Sequence, residues 1–179
     1  DGISVPVVGF GTYPLRGDSG VRAMVSALEA GYRFLDTAVN YRNEREVAEA
    51  VRASGVERGD VFIQTKIPGR DHRSAHHSLR TTLQVMDLDF VDSALIHWPN
   101  PSRGLALETW RTLIDLKEEG RALHIGVSNF RPEQLQELNH AGFHLVPVAA
   151  CIRCPADMYT AGTRIGYRMN RWPYGRRKT

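Results

Sequence analysis

The sequence is poor in cysteine, in lysine and in long apolar runs, and each shortage narrows what the chain can be. Only Cys151 and Cys154 occur among the 179 residues. That excludes a disulfide-built secreted scaffold and points to a reducing, cytoplasmic setting. The two are spaced C-x-x-C, but no second pair accompanies them, so the spacing reads as coincidence rather than as half a zinc site or a redox motif. No apolar stretch approaches the roughly 18 residues of a membrane span. The opening Asp1-Gly2-Ile3-Ser4-Val5-Pro6 carries neither the basic nor the apolar region of a signal peptide. No membrane partner is expected. A starting Met is also missing, and further residues upstream are expected.

What is present is ordinary for a globular domain: 42% hydrophobic and 24% charged residues. The net charge of +3 is unevenly spread: residues 1–150 balance at −3 and residues 151–179 at +6. A basic tail can bind nucleic acid or anionic membranes. Here the tail shows neither helical nor strand periodicity, and no nucleic-acid partner is expected from it.

The body alternates strand-like and helix-like segments. Strands are expected at 5–10, 32–36, 61–66, 91–97, 124–128 and 145–149. Helices are expected at 19–30, 43–54, 73–87, 105–119 and from Pro132 to about His140, where apolar residues recur at helical spacing. Asp18 or Ser19 can cap the first helix. His76, Leu79, Leu83 and Met86 are expected on one face of the third, and Leu107, Trp110, Leu113 and Ile114 inward on the fourth. This β-α order favours a parallel sheet covered by helices. An open doubly wound sheet and a (β/α) barrel both satisfy it. A full barrel typically takes about 250 residues, so length alone favours the open sheet.

In either architecture, functional groups gather where strands end and loops begin. The polar residues at those ends are Gly11-Thr12, Asp36, Lys66, His97 and Ser128-Asn129, with Tyr41 in the loop after Asp36. Lys66 stands out because the chain has 20 Arg and only three Lys. A lysine closing the apolar run Val61-Phe62-Ile63-Gln64-Thr65 needs a partner, and Asp36 can supply it. Taken singly, each residue has a bland reading: a structural ion pair, a structural strand-end histidine, a loop aromatic. Taken together they suit carbonyl chemistry. A phenol ionises near pH 10, too high for easy proton donation at neutral pH. A nearby ammonium stabilises a phenolate, a carboxylate holds the ammonium, and an imidazole orients a carbonyl oxygen. A metal-dependent hydrolase using Asp36, His97 and His124 is the competing enzyme class. It lacks an H-x-H pair on an early strand, and no metal ligand set is expected.

Five motifs in order resemble the aldo-keto reductase family, and its bacterial diketogluconate-reductase branch most. They are Gly9-Phe10-Gly11-Thr12; Asp36-Thr37-Ala38-Val39-Asn40-Tyr41-Arg42-Asn43-Glu44; Thr65-Lys66; His97-Trp98-Pro99; and Gly126-Val127-Ser128-Asn129-Phe130. The resemblance implies a (β/α)8 TIM barrel and reduction of aldehydes or ketones by hydride from NADPH, with NADH as the other candidate. It implies Tyr41 as proton donor, Lys66 and Asp36 as its tuning pair, and His97 as the group that orients substrate. It implies Ser128 and Asn129 at the nicotinamide carboxamide, and Gly11, Thr12 and Asp36 along the cofactor cleft. Tyr13 and Trp98, with His97, would wall the pocket for a small-molecule carbonyl substrate.

The resemblance covers residues 1–150 and ends there. Ala150-Cys151-Ile152-Arg153 stands where the family has N-Q-hydrophobic-E, and residues 151–179 show no further β/α unit. The expected architecture is therefore an incomplete barrel, about six of eight strands, followed by an irregular basic tail arising from a change of reading frame or a damaged gene. Such a chain would expose sheet edges near 5–10 and 145–149 and self-associate through them. The alternative to a working reductase is an inactive fragment, or a binding protein unable to hold the cofactor.

Overall fold

A computed structural model describes residues 4–140. Five strands form one parallel sheet: β1 (Phe10–Gly11), β2 (Phe34–Asp36), β3 (Phe62–Ile67), β4 (Val91–Ile96) and β5 (Ala122–Val127). Helices alternate with them: α1 (Gly17–Glu29), α2 (Glu44–Ser54), α3 (Ala75–Met86), α4 (Ala106–Glu118) and α5 (Pro132–His140). The spatial order is β1-β2-β3-β4-β5, every neighbour parallel. A doubly wound sheet requires the order to reverse at a switch point. No reversal occurs, and right-handed crossovers then place every helix on the same side. This is the wall of a (β/α) barrel, and the open-sheet alternative is set aside.

Burial follows from that arrangement. All six positions of β3 are buried, as expected for a parallel strand covered on both faces. Its outward residues Ile63 and Ile67 join a core with Met24 and Leu28 of α1, Val47 and Val51 of α2, Leu79 and Met86 of α3, and Trp110, Leu113 and Leu116 of α4. Gly55, in the left-handed region at φ 69, ends α2 as the sequence indicates.

Four local expectations need correction. The first strand is Phe10–Gly11, not 5–10. Pairing to β2 begins at Phe10↔Leu35, Pro6 has no N–H to give a ladder, and Val7 and Val8 are exposed. Helix α1 starts at Gly17, ahead of both expected caps. The Gly17 N–H donates to Glu46 Oε1 of α2 at 3.0 Å, so the cap comes from another helix. Leu107 lies on the outer face of α4, and Thr109 is buried in its place. Strand β5 begins at Ala122, two residues before the expected start. The expected strand at 145–149, the Cys151–Cys154 pair and the basic tail lie outside the described residues.

Candidate active site

Strand register puts the polar strand-end residues on one rim. Gly11 lies beside Asp36, and the Thr12 N–H donates to the Asp36 carbonyl at 3.0 Å. The His97 N–H donates to the Ile67 carbonyl at 2.9 Å, and the Ser128 N–H to the Ile96 carbonyl at 2.8 Å. Each residue thus continues its ladder by one step beyond a neighbour's strand end. Tyr41 closes a single 3-10 turn, Val39–Tyr41, that follows β2.

Lys66 is the centre of the group. Its side chain is 4% exposed, and its ammonium donates three ways: to Asp36 Oδ1 at 2.6 Å, to the Thr37 carbonyl at 3.0 Å and to Tyr41 Oη at 3.4 Å. An ammonium has three N–H donors, so this one is fully engaged. Because Tyr41 Oη accepts from Lys66, its own proton remains to be given elsewhere. The Tyr41 ring meets the His97 ring edge-on, centroids 5.9 Å apart, and the Tyr13 ring at 5.2 Å. His97 in turn stacks beside Trp98. Tyr13 and Trp98 are exposed, as walls of an open mouth would be.

His97 is buried, and burial is the main cause that lowers its pKa to about 4; the Lys66 ammonium adds to the effect and Asp36 opposes it. The imidazole is therefore neutral at physiological pH. Its Nδ1 is buried without a hydrogen-bond partner among the described residues. At the end of β5, the Asn129 amide donates to the His97 carbonyl at 2.9 Å and to Ser128 Oγ at 3.0 Å. Among the described residues, the Ser128 hydroxyl proton and the Asn129 amide oxygen have no side-chain hydrogen-bond partner. A Cβ placed on Gly11 would meet nothing within 4 Å, so there is open space beside Asp36.

Several residues beneath the rim were not singled out from the sequence. Gln64 Nε2 donates to Asp36 Oδ1 at 2.7 Å, the same oxygen that Lys66 holds. Gln64 was legible only as a polar residue inside an apolar strand. Asn43 is fully buried: its amide donates to the Thr12 and Leu15 carbonyls, each at 2.9 Å, and its Oδ1 accepts the Thr37 hydroxyl at 2.9 Å. It ties the loop after β1 to the loop that carries Tyr41. Arg16 donates twice to the Tyr41 carbonyl, at 3.1 and 2.9 Å. Glu44, half-buried, accepts from Thr82 at 2.8 Å and Thr65 at 3.3 Å; burial raises its pKa, and these hydroxyls oppose the rise.

His124 does not join this group. It stacks flat on Phe62 within the sheet, its pKa lowered chiefly by burial. Among the described residues no cluster of three or more His, Cys, Asp or Glu side chains is placed to hold a metal ion. No helix among them is long and apolar enough to cross a membrane.

The sequence model of the aldo/keto reductase family matches residues 7–152. The chain is 54% identical over 140 residues to 2,5-diketo-D-gluconic acid reductase B of Corynebacterium sp. (strain SHS752001), covering 77% of this chain and 50% of that protein. It is 38% identical over 138 residues to a methylglyoxal reductase of Escherichia coli (strain K12), again covering 77% and 50%. Its fold superposes on a crystal structure of an aldo/keto reductase from Brucella melitensis with a TM-score of 0.73 at 44% identity, covering 79% of this chain and 56% of that one. An aldo-keto reductase from a deep-sea metagenome library gives 0.75 at 35% identity, covering 81% and 53%. The chain spans about half the length of the curated relatives it matches. With a family match over most of its length, and relatives and folds that agree, the chain belongs to the aldo/keto reductase family.

Proposed function

We propose that this chain carries the proton-transfer half of an NADPH-dependent reduction of aldehyde or ketone groups, with Tyr41 as the proton donor. The observation that carries the reading is the Lys66 ammonium, bound at once to the Asp36 carboxylate and the Tyr41 phenol oxygen. A substrate carbonyl at the rim would lie between the Tyr41 hydroxyl and the His97 imidazole. His97, neutral and held by packing, has one N–H to offer the carbonyl oxygen through Nε2, since Nδ1 is enclosed. As negative charge builds on that oxygen, Tyr41 gives up its proton. The charge left on Tyr41 Oη falls beside the buried Lys66 ammonium, already oriented by Asp36, whose carboxylate accepts from Gln64 in turn. Preorganised charge of this kind needs no rearrangement at the moment of reaction. General acid catalysis of this type contributes roughly 10²–10⁴-fold.

A nicotinamide, when bound, supplies the hydride to the carbonyl carbon. The residues present fit such a group. The Ser128 hydroxyl and Asn129 amide oxygen offer a donor and an acceptor that match a carboxamide, and the free space at Gly11, beside Thr12 and Asp36, leaves room along the cleft. Tyr13 and Trp98 would flank the substrate. We place the protein in the cytoplasm, acting on small carbonyl compounds such as the sugar acids and oxoaldehydes named for its relatives. The division at residue 150, and self-association through the sheet edge at β1, belong to the same reading; chromatography at two concentrations tests the latter.

A second reading is a body that keeps these side chains without holding nicotinamide. Titration with NADPH while following tryptophan fluorescence separates the two. Saturable quenching, with oxidation of NADPH on adding methylglyoxal, is expected. Binding no better than bovine albumin's would favour the second reading.

A further inference from the structure

Asp36 of β2, Gln64 of β3 and Ser93 of β4 stand at matching register, one beside the next. Gln64 and Ser93 face the inside of the wall, because their chain neighbours Ile63 and Ala94 belong to the core under the helices. Both are buried, at 2% and 0% exposed. Gln64 Nε2 donates to Asp36 Oδ1 at 2.7 Å. A carboxylate only accepts, so the end of the amide that meets it is the NH2, and the amide oxygen is left over. That Oε1, and Ser93 Oγ on the next strand, are buried with no hydrogen-bond partner among the described residues. The Lys66 ammonium cannot serve them, since its three donors go to Asp36, Thr37 and Tyr41. His124, the register partner of Ser93, stacks flat on Phe62 with ring centroids 6.3 Å apart on the same inner face.

We infer that Gln64 and Ser93 bind one buried water between them, and that this water makes Gln64 a positioning residue for the Asp36–Lys66 pair. Buried polar atoms are almost always paired. Here an acceptor and a hydroxyl stand on strands about 4.8 Å apart, a gap that one water bridges by accepting the Ser93 proton and donating to Gln64 Oε1. The terminal torsion of a glutamine is broad, and the water fixes it with the NH2 toward Asp36. Asp36 Oδ1 then accepts from two directions, Gln64 at 2.7 Å and Lys66 at 2.6 Å. The second donor keeps the carboxylate from turning, and so keeps the ammonium aimed at Tyr41 Oη. Gln64 touches no substrate and acts through Asp36 and Lys66. Its effect on turnover rests on the reductase reading, but the water and the hold on Asp36 do not.

The test is NMR of the full chain labelled with 15N-lysine. With three lysines in the sequence, the Lys66 ammonium signal is identified by its loss in Lys66→Met. In Gln64→Met its hydrogen exchange with water is expected to rise roughly tenfold, the scale of one charge-assisted hydrogen bond. In Ser93→Ala it should rise about threefold, the scale of a neutral one. The double variant should exchange no faster than Gln64→Met, because Ser93 acts through Gln64. Met keeps the volume and strands no oxygen, so Tm should hold or rise. A lowered Tm with Lys66 exchange unchanged would make Gln64 merely structural and overturn the positioning role. Additive effects in the double variant would overturn the shared water, and so would a wild-type crystal map without a water about 2.7–3.2 Å from both atoms. Ser93→Ala, the smaller change, carries the test if Gln64→Met does not fold. In turnover of methylglyoxal, kcat of Gln64→Met should fall about tenfold with KM unchanged. If exchange rises as expected but wild type reduces no carbonyl compound, the reductase reading fails and the positioning role stands. If wild type turns over and Gln64→Met matches it in kcat and in exchange, the positioning role fails alone.

Discussion

The burial of His97 makes a quantitative prediction about acid stability. Its pKa is about 4 in the folded chain against 6.5 for an unhindered imidazole. The folded value lies below the unfolded one. Between the two, the unfolded chain therefore binds a proton that the folded chain refuses, and stability rises with pH across that window. The contribution is complete above about pH 6.5, is lost as pH falls toward 4, and is flat below. At 1.36 kcal/mol per pKa unit the ceiling is about 3 kcal/mol. His97→Gln removes the titrating group and keeps a polar side chain. Other groups, including His72, His124 and Glu44, shift in both proteins alike. The informative quantity is therefore the difference between wild type and variant, measured by urea unfolding at pH 7, 6, 5 and 4. Wild type should lose about 2–3 kcal/mol relative to the variant between pH 7 and 4, a sizeable part of the 5–15 kcal/mol of an ordinary domain. Parallel curves, differing by less than about 0.5 kcal/mol in shape, would refute the claim that His97 is held neutral by its surroundings.

Asn43→Ala should cost about 3 kcal/mol in urea unfolding, since it deletes three hydrogen bonds, two of them fully buried; a loss below 1 kcal/mol would mean the loops do not depend on it. Gly20→Ala sets a gain of about 1 kcal/mol in helix propensity against a Cβ 2.8 Å from the Leu15 carbonyl carbon. Overpacking of roughly 1–3 kcal/mol should win, and a raised Tm would contradict it.

The rim was legible in the sequence because a parallel β/α order sends functional groups to strand ends, and polar residues there stand out against apolar strands. Asp36, Lys66, His97 and Ser128 each end or closely follow such a run, and the structure brings Asp36, Tyr41, Lys66 and His97 together. The supports were less legible because they act across distance. Asn43 is visible in a motif, yet its partners Thr12 and Leu15 lie 31 and 28 residues away. Glu46 caps a helix 29 residues upstream, which no local cap signal can show. The first strand was overextended because β-branched valines favour pairing only where a partner strand is present, and β2 begins at Phe34. Leu107 fitted a helical stripe by spacing, but the packing of α4 puts Thr109 inward instead; its hydroxyl bonds the Leu105 carbonyl at 2.8 Å and so can be buried.

The central claim is that Tyr41 protonates the carbonyl oxygen, and Tyr41→Phe tests it most directly. The variant keeps the ring that packs against Tyr13 and His97 and removes one oxygen. Reduction of methylglyoxal with NADPH, followed at 340 nm for wild type and variant of matched Tm, should show kcat falling about 10²–10⁴-fold. A kcat equal to wild type in the variant would contradict the assignment and move the proton donor elsewhere.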